Sequence, residues 1–137
     1  MSATKGFGPE FQSAGCRLYR TEYAAIAMTV FAYLVYRSLY LGGIDWLSTA
    51  FWVFFPDLVA FIPIGLSSER QKWPTWGAPL YNAFHTTLTW ALITAVIWLT
   101  LRTPYWPIFG WLGHISLDRT VGYGLRENPG KRIDSPM

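Results

Sequence analysis

Cysteine is almost missing from this chain, with Cys16 alone among 137 residues. That excludes an intramolecular disulfide and any zinc cluster built on cysteine thiolates, and it leaves the redox compartment undetermined. Cys16 reads as a free thiol near a membrane surface. Charge is scarce too, at 14% of residues, against about a quarter in ordinary soluble domains. Histidine occurs only as His85 and His114. The serines Ser48, Ser67, Ser68 and Ser116 form no Gly-x-Ser-x-Gly elbow, which argues against a serine triad. Gly122-Tyr123-Gly124 is not a phosphate loop, because no Lys-Ser/Thr pair follows it. There is no repeat, no low-complexity tract, and no basic–aromatic interleaving of the kind that binds RNA or DNA. The first twenty residues lack the apolar core and cleavage site of a secretory signal, so insertion is expected to rely on the first span.

What is abundant is apolar surface: 52% of residues are hydrophobic and 18% aromatic. The balance is that of a membrane protein with room for one domain. Apolar runs predict four spans, at about 23–41, 46–66, 78–101 and 106–125, each near the ~20 residues a bilayer requires. The expected fold is an all-α, polytopic four-helix bundle over 18–126, between a polar N-terminal segment (1–17) and a flexible polar tail (127–137). Pro56 and Pro63 should kink or interrupt the second span and free backbone carbonyls. The third is the cleanest span, with a polar stripe of Asn82, His85 and Thr89. In the fourth, Gly110, Gly113, Gly122 and Gly124 suit close helix packing or irregular backbone.

The distribution of positive charge predicts orientation. Lys5, Arg17, Arg20, Arg70, Lys72, Arg119, Arg126, Lys131 and Arg132 fall on one side of a four-span arrangement, and only Arg37 and Arg102 on the other. Both termini should therefore face the cytoplasm. Trp46, Trp98 and Trp106 then mark the outer interface, and Trp73 and Trp76 the inner one. Arg126, Lys131 and Arg132 read as a positive-inside anchor on the bilayer. Exposed Phe7 and Phe11 suit adhesion to lipid.

Ionisable groups inside such spans are functional candidates by default. A rise of about 1.5 Å per residue places His85, Asp118, Asp57 and His114 about 10–16 Å from the cytoplasmic end of their spans. They should converge on one polar site in the inner half of the bundle. Spacing supports this, since His114 and Asp118 are four apart and share a helix face. Asp57, His85, His114 and Asp118 are candidate acid–base groups, and His85, His114 and Asp118 candidate ligands of zinc, iron or manganese, with Asp57 completing the set. A bound divalent cation would offset the buried carboxylates and activate a water. Other readings stay open. Asp57 or Asp118 could neutralise Arg119 or Arg20 while the histidines donate to carbonyls freed by Pro56 and the glycines, a network that would include Glu22, Asn82, Arg119 and Tyr123. Alternatively Gly110, four residues before His114, could admit a flat pigment ring. The function classes that follow are a metal-dependent enzyme acting on a lipid-like substrate and a non-catalytic subunit of a larger membrane assembly.

The segments "LYRTEYAA" (18–25), "FFPDL" (54–58), "GAPLYNAFHT" (77–86) and above all "WLGHISLDRTVGYGL" (111–125) resemble the small bacterial membrane proteins of domain of unknown function 4260. The resemblance implies a multi-pass protein of the bacterial inner membrane, and the family carries no assigned activity. Ser116 stands where the family usually has glycine, and Arg126 where it has lysine. Family members tend to continue into a Thr-His-Leu-Gly element, whereas the tail here reads "NPGKRIDSPM" without histidine. If that histidine belongs to an active site, the resemblance implies an accessory subunit, for example of a photosynthetic or respiratory assembly.

Overall fold

The structure is a computed structural model that describes residues 17–67, 74–123, 126–127 and 131–132. Readings that rest on Lys5, Phe7, Phe11, Cys16, Ser68, Arg70, Lys72, Trp73 and Gly124 lie outside the described residues. The described chain is helical: α1 (Arg17–Tyr40), α2 (Trp46–Ser67), α3 (Gly77–Phe84), α4 (Thr87–Leu101), a 3-10 turn (Trp106–Ile108) and α5 (Phe109–Val121). The tail expected to be flexible instead contributes a minimal antiparallel pair, β1 (Arg126–Glu127) with β2 (Lys131–Arg132).

Asp45 starts α2 as an N-cap. Its Oδ1 accepts the backbone N–H groups of Leu47 (3.0 Å) and Ser48 (3.2 Å), and its Oδ2 the Ser48 hydroxyl (2.5 Å), which satisfies donors that no earlier turn can. Of the kink or interruption expected at Pro56 and Pro63, the interruption does not occur, and the helix runs unbroken over 22 residues. They sit seven apart on the seam formed with Thr49, Ala60 and Ile64, with Pro56 buried in it, and packing there holds the turn that lacks an N–H.

The third expected span differs more. It is two helices, α3 and α4, bent by 58° at a break around His85 and Thr86. Thr86 is extended (φ −107°, ψ 138°) and caps α4, its hydroxyl accepting from the Thr89 N–H at 3.4 Å. The threonine hydroxyl offers the backbone an alternative to continuing the helix. The Asn82–His85–Thr89 stripe is therefore split between two elements.

Among the described residues, α2 is the one helix long and apolar enough to cross a membrane, and the bent α3–α4 pair adds a second if counted as one span. The four-span expectation is met to that extent. With 13 residues, α5 is about 20 Å long.

At the centre of the fold, α5 packs against both α1 and α2. A Cβ added to Gly110 would lie 2.7 Å from the Thr49 carbonyl, and one on Gly113 2.5 Å from the Phe31 ring. The missing side chains let the α5 backbone approach that of α2 at Gly110 and the Phe31 ring of α1 at Gly113. Trp111, fully buried, stacks on Trp52 (5.9 Å, 9°) and meets Phe55 edge-on at 5.0 Å. The opposite surfaces are apolar and uncovered: Leu47, Leu66, Leu88, Leu92, Val96 and Leu99 are each at least 60% exposed.

Candidate metal centre

Three elements deliver the polar side chains: α2 carries Asp57, the C-terminal end of α3 presents His85, and α5 contributes His114 and Asp118 one turn apart. The structure brings all four together. His85 Nε2 lies 3.2 Å from Asp57 Oδ1 and 3.7 Å from Asp118 Oδ2. His114 Nε2 lies 3.4 Å and 3.3 Å from the same two oxygens. Imidazole and carboxylate thus alternate around one point, each carboxylate oxygen shared by both rings.

The break in the third span shapes this centre. As the residue that ends α3, His85 places its backbone N–H on the Tyr81 carbonyl (3.0 Å), and its ring Nδ1 reaches the same oxygen at 2.8 Å. A carbonyl only accepts, so Nδ1 carries the proton, and in the neutral ring the lone pair is on Nε2. That lone pair faces the Asp57 carboxylate. Two electron-rich atoms at 3.2 Å require a positive species between them, either a proton on Nε2 or a metal ion. The Tyr81 ring stacks on His85 at 3.8 Å and 11° and fixes the imidazole plane.

The opposing nitrogen, His114 Nε2, is buried and makes no hydrogen bond among the described residues. Both carboxylate oxygens are near enough, so neither lies along the nitrogen's bonding direction. Around a tetrahedral ion with bonds of about 2.0–2.1 Å, neighbouring ligand atoms are about 3.3–3.4 Å apart; His85 Nε2 and His114 Nε2 lie 3.2 and 3.4 Å from Asp57 Oδ1, and Asp118 stands beside this trio. One atom each of Asp57, His85 and His114 lies within 4.8 Å of the other two. This donor set fits zinc, iron or manganese.

The expected network differs in its partners. Asp57 and Asp118 face histidines, not Arg119 or Arg20. Arg119, 7% exposed, donates from Nη2 to the His85 carbonyl (2.9 Å) and from Nη1 to the Tyr123 carbonyl (3.5 Å). Arg20 Nε donates to the Thr120 carbonyl at 2.8 Å. The histidines use neither carbonyls freed by Pro56 nor the glycines. Glu22 is exposed on α1, and Asn82, half-buried on α3, accepts the His85 N–H through its carbonyl (3.2 Å). Tyr123 is exposed, and its N–H bonds the Asp118 carbonyl at 2.7 Å. Ser116 is buried and donates to the Leu112 carbonyl. The space over Gly110 is filled by Thr49 and Val53, so no flat ring fits there.

Tyr81 and Trp111 escaped the sequence reading. Trp111 donates its indole N–H to the Phe84 carbonyl at 2.8 Å, one of the groups the helix break sets free. The carbonyl that fixes the His85 tautomer belongs to the backbone of Tyr81, which no side-chain pattern announces.

These site residues lie in a region matched by one family model, Domain of unknown function (DUF4260), over residues 17–133. The chain belongs to this family. No curated protein and no solved structure matches it. Asp57, His85, His114 and Asp118 of this DUF4260 protein all fall within the matched region.

Proposed function

We propose that this is a multi-pass inner-membrane protein with four crossing segments over 18–126, both termini cytoplasmic, and a divalent metal held by Asp57, His85 and His114 with Asp118 beside it. The observation that carries the metal reading is the approach of His85 Nε2 to the Asp57 carboxylate at 3.2 Å while Nδ1 of the same ring is committed to the Tyr81 carbonyl. Metal-bound imidazoles characteristically donate their other N–H to a carbonyl or carboxylate, as His85 does to Tyr81. A metal held there would supply an activated water at neutral pH, and Asp118, beside both imidazoles, would accept its proton in a hydrolysis.

Exposed apolar residues on α2 and α4 support placement in a bilayer, since soluble proteins rarely leave such continuous apolar surface uncovered. They also bear on substrate. The Asp57 side chain is 41% exposed, and its neighbours on the surface of α2, Phe54, Leu58 and Phe61, are exposed and apolar. A molecule reaching the centre from this side passes over an apolar surface, which favours a lipid-like substrate. At the other end, Trp98 and Trp106 meet edge-on at 5.4 Å and the Arg37 guanidinium lies 4.7 Å over Trp106, an arrangement suited to an outer headgroup belt.

The same distances fit a second reading. Two imidazolium ions between two carboxylates also balance charge, which makes the cluster an ion-pair network in an accessory subunit of a larger membrane complex. Elemental analysis of protein purified from its own membrane without chelators separates them. Stoichiometric zinc, iron or manganese that is lost in His85→Ala and in His114→Ala is the expected result. Metal-free wild-type protein that co-purifies with fixed partners contradicts it.

A further inference from the structure

The break between α3 and α4 leaves the carbonyls of Phe84 and His85 without the partners a continuous helix would give them. In a bilayer such groups are tolerated only where protein satisfies them. Both partners come from one helix, α5: Trp111 Nε1 donates to the Phe84 carbonyl (2.8 Å) and Arg119 Nη2 to the His85 carbonyl (2.9 Å). On α5, Trp111 comes three residues before His114 and Arg119 directly after Asp118, and α5 also sends His114 and Asp118 into the centre. So α5 supplies two of the four polar groups directly and holds a third, His85, by its backbone.

The geometry points to Arg119 as a positioning residue of the metal centre, acting through the His85 carbonyl to set where Nε2 stands relative to Asp57 and His114. The inference rests on the metal reading above. Arg119 is 7% exposed, its two hydrogen bonds among the described residues go to backbone carbonyls, and one of those belongs to a ligand. A charge-assisted bond at 2.9 Å is stronger than a neutral one. An indole on the preceding carbonyl leaves the peptide little freedom to rotate.

The test uses the full chain in lipid nanodiscs, loaded with Co2+ as a visible probe. Arg119→Gln is expected to weaken Co2+ binding about 10- to 100-fold, the usual effect of losing a group that orients a ligand. It should also alter the cobalt d–d spectrum while helix content by circular dichroism stays unchanged. Arg119→Lys keeps a cationic donor in reach of the carbonyl and is expected to recover most of the affinity and the wild-type spectrum. A folded Arg119→Gln protein with wild-type affinity and spectrum overturns the proposal. If the glutamine variant does not fold, a folded lysine variant with a displaced cobalt spectrum overturns it, and one that matches wild type supports it. If wild-type protein binds no Co2+, the metal reading fails separately. Positioning is then read in metal-free protein from the 15N resonances of His85, where loss of the protonated-Nδ1 signature in Arg119→Gln supports it and an unchanged signature overturns it.

Discussion

His85 is held at three points: its ring N–H on the Tyr81 carbonyl, its face on the Tyr81 ring, and its own carbonyl under Arg119. This restraint leaves one direction for the Nε2 lone pair, toward Asp57, and makes individual side-chain changes informative. Asp118→Asn keeps shape and removes charge. With a metal present, the variant is expected to fold and to bind Zn2+ more weakly than wild type by isothermal titration. In a pure ion-pair network it would instead lower stability, by less than the about 3–5 kcal/mol of a fully buried pair, because the Asp118 side chain is 24% exposed. A folded Asp118→Asn protein with unchanged metal affinity and unchanged stability contradicts both readings. Much at this scale was legible beforehand: depth from the ends of the spans placed His85, His114, Asp57 and Asp118 at similar levels, and helical spacing put His114 and Asp118 on one face. Their partners were not legible. Arg119 and Nδ1 of His85 both bond backbone carbonyls, and a sequence carries no mark of which carbonyl a distant break will free.

Among the elements, α5 is the one every other part of the site leans on, and its close approach to α2 is open to direct test. Gly110→Ala would drive a methyl against the Thr49 carbonyl, which is helix backbone and cannot step aside. The expected loss is about 1–3 kcal/mol, read as a lowered unfolding temperature in detergent. Gly113→Ala meets the Phe31 ring, a side chain that can turn, and should cost less. Thr86→Ala removes the cap of α4 and is expected to destabilise by about 1 kcal/mol. The sequence did hold a trace of this boundary in Thr86, Thr87 and Thr89, but they sit within an apolar run whose continuity argued for one long helix. Asp45 at the start of α2 gives a pH dependence. The Ser48 hydroxyl, then the backbone N–H groups of Ser48 and Leu47, hold its pKa below the ordinary value of 3.8. A depressed carboxyl stabilises the folded state above its unfolded pKa, and that contribution disappears as pH falls through the folded value. Thermal unfolding followed downward from about pH 5 should show a decline that is smaller in Asp45→Asn.

At the scale of the whole molecule, the described residues form a central helix with apolar outer surfaces and one polar knot at Asp57, His85, His114 and Asp118. The all-α class was legible from composition and the apolar runs, and the distribution of Lys and Arg supplies the proposed orientation, whereas the division of the third span and the paired tail strands depend on contacts between distant segments. Topology can be checked with single cysteines in a Cys16→Ser background. Thr103→Cys is expected to react with an impermeant maleimide on intact cells, and Gln71→Cys only after permeabilisation; the reverse pattern contradicts the proposed orientation. The central claim is that Asp57, His85 and His114 hold a metal ion with Asp118 beside it. X-ray absorption at the metal edge of protein purified without chelators measures this most directly. The expected result is a shell of only nitrogen and oxygen donors at about 2.0–2.2 Å, with outer-shell scattering from imidazole that falls in His114→Ala. Protein with no bound metal, or a metal without imidazole scattering, contradicts it.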